Sequence, residues 1–446
     1  MPGHRSLFSL LLLAASAMPA LAQANFMVVR VGDGSSPLTT AAAPIFIEQR
    51  QPNGTLVGTV ALPVVASGSN QPVTLAGSAT LEGALVRSAD GRYLTLSGYA
   101  AIPGTPSVGT SSTTVVSRVI ARIDAAGSID ASTTLVGPFE QSSIRGAVTN
   151  DGSAFWVSGS ANVGTGGIWY ATLGPAGSLT QITTAPNMTR NVEIFNGQLY
   201  AVSGSALFSA PFAVGTGLPT SSGQASNTLP GFTVSGASPC AFAFNASGNV
   251  AYVADSRALA SGGGVQKWSF DGVSWSLVTT FTNGISIGVT GLCVDFTIAQ
   301  PRVYATTAAT PNAIVGYVDD GSLSPTGTVL ATAATNTAFR GIALGPYGSQ
   351  AAVDGAGDGA AFGILACVPQ PCVEGARVQY VLPAPGRARL ELFDAHGRRV
   401  ATLVEGTLPA GRHSTALDAR GLASGVYVLR LQAGARAATR KLAHLR

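Results

Sequence analysis

Arg145 in IRGAV, Arg190 in TRNVEIF and Arg340 in FRGIAL are the residues of this 446-residue chain whose type and spacing most invite a chemical reading. Each stands at a nearly matching place at the start of a repeated apolar hairpin. A guanidinium fork grips carboxylate or phosphate oxygens with two bonds at once, so three converging arginines would favour an anionic ligand. The competing reading is local: each arginine pairs with an acid or a carbonyl of a neighbouring repeat, with Glu82, Glu193 and Asp295 as candidates. The rest of the inventory is mostly exclusion. The four histidines are His4, His396, His413 and His444, so residues 23–366 contain none, and Lys267 is their single lysine. A Ser-His-Asp triad, a histidine-ligated zinc and Cys-His nucleophilic catalysis are therefore ruled out within that span. Carboxylate catalysis stays open through a pair such as Asp354 and Asp358, or Glu82 and Asp295. The Gly/Asp runs at 32–34 and 354–359 could offer oxygen ligands to Ca²⁺, although neither follows an EF-hand pattern and such clusters are commonly turns. No other cofactor is implied. Cys367 and Cys372, in CVPQPC, are candidates for a small disulfide loop, whereas Cys240 and Cys293 open the similar segments CAFAF and CVDF and read as buried thiols.

The elements that must position these residues announce themselves by repetition. One unit is a hairpin with an apolar second strand: SADGRYLTLSG, TNDGSAFWVSG, IFNGQLYAVSG and NASGNVAYVAD. Its turn glycines Gly91, Gly152, Gly197, Gly248 and Gly348 are separated by 61, 45, 51 and 100 residues, the last interval covering two units. A second hairpin alternates with it, in IFIEQRQPNGTLVGTV, RVIARIDAAGSI, GIWYATLGPAGSL, VQKWSFDGVSW and IVGYVDDGSL. Two hairpins per repeat make a four-stranded blade, and a period of roughly 45–50 residues belongs to β-propellers. The expected fold is all-β, a propeller over 25–366. Two strands are left over, FMVVRV at the start and FGILAC at the end. Counting the first as its own blade gives seven, the expectation adopted here; folding it into the last blade gives six. The first strand of each blade commonly lines a propeller's channel, which would carry the three arginines to one channel mouth.

Charge divides the chain. Residues 23–366 carry a net −4 and residues 367–446 a net +7, a mildly acidic body followed by a basic tail. No basic stripe interleaved with aromatics runs through the body, which argues against nucleic acid. Residues 1–22 read as a signal peptide, with His4 and Arg5 before LFSLLLLAASA and a small-residue cleavage pattern at Ala20 to Ala22. No later stretch is apolar enough to span a bilayer. Residues 367–374 read as a Pro-containing linker. Over 375–446, RVQYVL, RARLELFD, RVATLV and GVYVLRL alternate apolar and polar residues between Gly- and Pro-containing turns, predicting a small Ig-like β-sandwich.

Two resemblances follow from these motifs. On Phe393-Asp394, Gly397-Arg398, Val400, the Leu408 to Gly411 turn, Gly425-Val426-Tyr427 and Lys441-Leu442, the tail resembles the C-terminal sorting domain of type IX secretion cargo and the Ig-like domain of flagellar hook-capping proteins. On VVRVGDG, SADGRYLTLSGY, RVIARIDAAGSID, IRGAVTNDG and GGVQKWSF, the body resembles secreted bacterial propeller-like proteins with no agreed activity. The first implies delivery through the periplasm to the cell surface or beyond, with the outer-membrane secretion machinery as partner of residues 375–446. The resulting expectation is an exported propeller that acts as a binding or interaction module for a surface or soluble ligand, a reading the missing histidines favour. The alternative is a metal- or carboxylate-dependent propeller hydrolase or lyase.

Overall fold

The computed structural model describes residues 25–346, apart from 162–163, 176 and 233–234. It also describes residues 362–444, apart from 369–371, 373–374, 383–385, 409–410 and 435. The signal-peptide reading and the Asp354/Asp358 pair lie outside the described residues. The chain divides into two compact units, residues 1–350 and 351–446.

The first unit is built from four separate four-stranded antiparallel sheets, each a blade, and one nine-stranded sheet. In the latter the short strand Thr74–Ala76 pairs with both Ala42–Arg50 and Tyr93–Tyr99 and so joins two further four-stranded blades. Blade 2 consists of Leu85–Arg87, Tyr93–Tyr99, Arg118–Asp124 and Ile129–Leu135. Blade 3 runs Ile144–Thr149, Ala154–Gly159, Gly167–Thr172, Leu179–Thr183. Blade 4 has Thr189–Phe195, Gln198–Ser203, Phe212–Val214 and Ser226–Thr228. Blade 5 has Pro239–Phe244, Val250–Asp255, Gly264–Phe270 and Trp275–Phe281, and blade 6 has Val289–Asp295, Arg302–Thr307, Ala313–Val318 and Thr328–Thr332. Blade 1 is assembled from both ends of the unit. Phe26–Val31, Ala42–Arg50 and Leu56–Ala61 supply three strands, and Ala338–Leu344 pairs antiparallel with Phe26–Val31 to complete the sheet. The first strands of successive blades pack on one another, and Ala338–Leu344 packs on the first strands of both blade 6 and blade 2. The ring is closed, and the fold is a β-propeller.

The count among the described residues is therefore six rather than the seven expected from sequence. FMVVRV does not begin a blade of its own; it is the second strand of one whose first strand comes some 300 residues later. Closure pairs the first and last strands of the unit with each other, so that only the short outer strand of each blade remains a sheet edge. Close approach at the axis depends on small residues. At Gly341 an added Cβ would lie 2.2 Å from the Leu85 nitrogen and 2.4 Å from the Gly83 carbonyl oxygen. The hairpin turns behave as their composition requires, with Gly152 at φ +89°, a conformation that side chains bearing a Cβ rarely adopt.

The second unit is a seven-stranded sandwich. Gly363–Val368, Gly375–Leu382 and Gly411–Asp418 form one sheet. The other has the order Arg399–Leu408, Gly386–Phe393, Gly425–Ala433, Arg436–His444. Between them lie Val378, Tyr380, Leu390, Leu392, Leu429 and Leu442, the inward positions of alternating strands. Here the expected boundary moves. The sequence places FGILAC at the end of the propeller and 367–374 in a linker, but Gly363–Val368 pairs along its length with Gly375–Leu382. Its partly buried Ile364 and buried Cys367 join the sandwich core, which is why it belongs to the tail.

Candidate functional site

A repeated irregularity of the first strands builds the site. In blade 3, Ser158 and Gly159 pair with Gly146 and Ile144, so Arg145 is an extra, unpaired residue. Arg190 in blade 4, Cys240 in blade 5 and Thr290 in blade 6 are the extra residues at the equivalent step. In blade 1, Arg340 and Gly341 stand against Val29 alone. A β-bulge at the start of a strand re-aims a side chain and increases the local twist. Five blades thus present one bulged residue each at the same end of the ring. In blade 2 the corresponding backbone precedes the first strand, where the Ala84 N–H donates to the Arg145 carbonyl at 3.2 Å. Hydroxyls on second strands steady the bulges: Thr306 Oγ1 donates to the Arg340 carbonyl at 2.9 Å, and Ser158 Oγ to that of Arg190 at 3.4 Å.

The three arginines are held differently. Arg340, 6 % exposed, donates Nε to the Ala79 carbonyl at 2.9 Å, Nη2 to Gly77 at 2.9 Å and Nη1 to Phe339 at 3.1 Å. Burial lowers its pKa to about 10, still well above neutral. Arg190 donates Nη1 to Ser238 Oγ at 2.7 Å and to the Pro239 carbonyl at 3.1 Å, with the Cys240 sulfur at 3.5 Å. Among the described residues Arg145 makes one long bond, Nη1 to the Thr189 carbonyl at 3.4 Å. The Nε atoms of Arg145 and Arg190 are buried without a hydrogen-bond partner among the described residues. Burial and then the Arg190 charge press the Arg145 pKa downward.

Glu82 is the acid that faces this group. It is 3 % exposed and accepts from Tyr99 Oη at 2.6 Å, Ser143 Oγ at 2.8 Å and the Ala76 N–H at 3.2 Å. Burial raises its pKa, and those three donors together with the Arg145 charge oppose the rise. Glu82, Arg190, Cys240, Thr290 and Arg340 line a cavity of about 30 Å³, roughly the volume of one water molecule. That is room for the terminal atoms of one group, not for a sugar ring.

The other sequence candidates fall elsewhere. Glu193 and Asp295 lie towards the far ends of their first strands, about 10–16 Å along the chain from the bulges. Glu82 and Asp295 are thus not brought together as a catalytic pair. Asp295 Oδ1 caps its own turn at Thr297, while Glu193 accepts from the Asn191 amide at 3.1 Å. Burial pushes the Glu193 carboxyl up to about 8. Asp33, in the first Gly/Asp run, accepts from the Ser35 N–H at 2.9 Å and hydroxyl at 2.6 Å, a turn closed on itself. Among the described residues no three His, Cys, Asp or Glu groups gather to hold a metal ion. The second Gly/Asp run lies outside the described residues. Cys367 and Cys372 carry free thiols, both buried in the tail core. Sequence reading missed Cys240 and Thr290 as members of the ring. Their signal was positional: each is followed by Ala or Gly at the step where the arginines are followed by Gly or Asn.

In the tail, Asp394 Oδ1 accepts from the N–H groups of His396 and Arg398, closing the turn of FDAHGRR, and Tyr427 Oη donates to the Ala423 carbonyl at 2.7 Å. Both motifs sit on strands of the four-stranded sheet. Residues 369–444 match the secretion system C-terminal sorting domain. The sorting domain marks the chain for type IX export to the cell surface or the extracellular space, and implies contact with the secretion machinery. Among the described residues no helix is long and apolar enough to cross a membrane. No curated protein matches the sequence. Solved structures similar to the chain include two Bacteroides proteins described as candidate 6-phosphogluconolactonases. The one from Bacteroides uniformis is 13 % identical, covering 88 % of this chain and 100 % of its own, with TM-score 0.39. The one from Bacteroides fragilis is 12 % identical, covering 89 % and 99 %, with TM-score 0.40. A quinoprotein alcohol dehydrogenase-like protein from Bacteroides thetaiotaomicron is 12 % identical over 72 % and 91 %, with TM-score 0.32. At such scores the propeller assignment rests on this chain's own strand pairing.

Proposed function

We propose that the exported propeller is a non-catalytic binding module, and that Arg145, Arg190 and Arg340 form its anion-recognising ring. The observation that carries this reading is the charge balance at the axis. Arg190 and Arg340 line the cavity with Glu82, whose own charge is disfavoured by burial, and Arg145, outside the lining, adds its charge to both Glu82 and Arg190. Enclosed charge without a partner is costly, and an incoming anion relieves that cost. Arg190, which lines the cavity and has its Nε in reserve, would make the direct contact, and Arg145 beside it would add charge and a second reserve donor. Arg340, fixed on its three carbonyls, would contribute charge from behind. The small cavity admits only the terminal oxygen atoms of one carboxylate or phosphate, while the rest of the ligand stays outside. Binding rather than catalysis is supported by the absence of histidine from residues 23–366 and by Lys267 being ion-paired to Asp319.

Calorimetric titration with glucuronate and glucose 6-phosphate tests the proposal. Arg145→Gln and Arg190→Gln should each weaken the wild-type isotherm by tenfold or more, about 1.5–3 kcal/mol for a charge-assisted bond. Isotherms unchanged in both variants, or no heat with either ligand, would refute it.

A further inference from the structure

At the opposite end of the first strands, the turns of blades 5 and 6 leave a cleft of about 350 Å³ between them, within the size range of small-molecule sites. Its floor joins the two blades. Lys267, on the third strand of blade 5, places Nζ 2.5 Å from Asp319 Oδ2, at the end of the third strand of blade 6. Tyr252, on the second strand of blade 5, donates its hydroxyl to the same oxygen. Asp319 Oδ1 accepts from the Gly321 N–H at 3.1 Å. An ammonium has three N–H donors, and Asp319 is the one partner that Lys267 has among the described residues. The single lysine of the propeller is therefore held at the base of a cleft, 19 % exposed, with donors left over.

The walls are mixed. Phe296, partly buried, lies with its ring 5.8 Å from that of Tyr252, and Pro301 lines the cleft beside it. Gln300 and the exposed Asp320 stand at the rim. A ligand that suits these groups must accept from Lys267 and donate to the carboxylates, and it must carry an apolar face for Phe296 and Pro301. It must also be uncharged, because Asp319 and Asp320 repel an anion and Lys267 repels a cation. Neighbouring hydroxyls on a ring with a C–H face combine these properties. We infer that the cleft between blades 5 and 6 is a second binding site, specific for a neutral carbohydrate. It is independent of the arginine ring, since it lies at the other end of the first strands and shares no residue with it.

Saturation-transfer NMR on the full chain with methyl glycosides of glucose, galactose, mannose, fucose and N-acetylglucosamine reads this directly. At least one glycoside should show transfer in the wild type, and the signal should fall at least tenfold in Lys267→Met. That change leaves Asp319 without its cation and could loosen the blades, so Gln300→Ala provides the rim variant. It should keep the wild-type melting temperature and still lose at least half of the signal. Transfer to none of the five glycosides, or equal transfer in both variants, overturns the inference. So does transfer to N-acetyl-lysine methylamide in place of the sugars, which would mark the cleft as a site for cationic side chains.

Discussion

Arg340 directs its guanidinium to three main-chain carbonyls, whereas Arg145 and Arg190 keep buried Nε atoms without partners among the described residues. The same residue type at the same step of the repeat therefore meets two environments, one saturated by main-chain acceptors and one that leaves donors over. Arg340→Gln should strand the carbonyls of Ala79, Gly77 and Phe339 and lower unfolding free energy by about 3 kcal/mol in denaturant titration. A loss under 1 kcal/mol would show that those bonds contribute little. Glu193 carries a different signature, an enclosed carboxyl whose pKa rises to about 8. Its folded value lies above its unfolded one, so the unfolded chain releases the proton first. Stability then falls as pH rises from about 4.5 to 8. Glu193→Gln removes that dependence. The variant should gain on the order of a few kcal/mol at pH 8.5 and almost nothing at pH 4.5. Thermal melts at the two pH values check this, and an equal gain at both would contradict it.

The bulge is the element that converts a repeated strand into a site, and it is the element least visible in sequence. An extra residue at a strand start leaves the apolar alternation on both sides intact, so Arg145 and Arg190 could be aligned while Cys240 and Thr290 passed unnoticed. Hairpins were legible because their turns demand particular residues, as at Gly91 and Gly152 with φ of +77° and +89°. Blade number was not, because Phe26–Val31 finds its partner at Ala338–Leu344, and no local pattern encodes a pairing of that separation. Gly363–Val368 was misplaced for a related reason: a short apolar strand reads the same whichever sheet it joins. Its reassignment puts Cys367 and Cys372 in one core, where the first thiol is pushed up to about 11 by burial and then by the second. In an oxidising compartment the pair should form a disulfide, the two thiols giving up two protons and two electrons to a thiol oxidant there. Thiol titration of the denatured, exported protein should then find two free cysteines, Cys240 and Cys293. Four would exclude the bond.

The molecule combines a closed ring with a separate delivery unit, and each can be tested without the other. Deleting residues 363–446 removes the whole sandwich and should leave a folded propeller, since Ala338–Leu344 still closes the ring on Phe26–Val31. That protein should stay in the periplasm of a host with the type IX system; its appearance at the surface would contradict the sorting role. Deleting only 375–446 should behave worse, because Gly363–Val368 then loses its sheet partner and exposes an unpaired strand. Closure is also what gives the arginines a common centre, as six first strands must meet before the bulges of different blades face one axis. Titrating glucuronate and glucose 6-phosphate into the intact chain and into the Arg145→Gln/Arg190→Gln double variant bears on that centre most directly. The ring predicts saturable binding to the wild type and its loss in a double variant that remains folded. Equal binding by both proteins, or by neither, would contradict it.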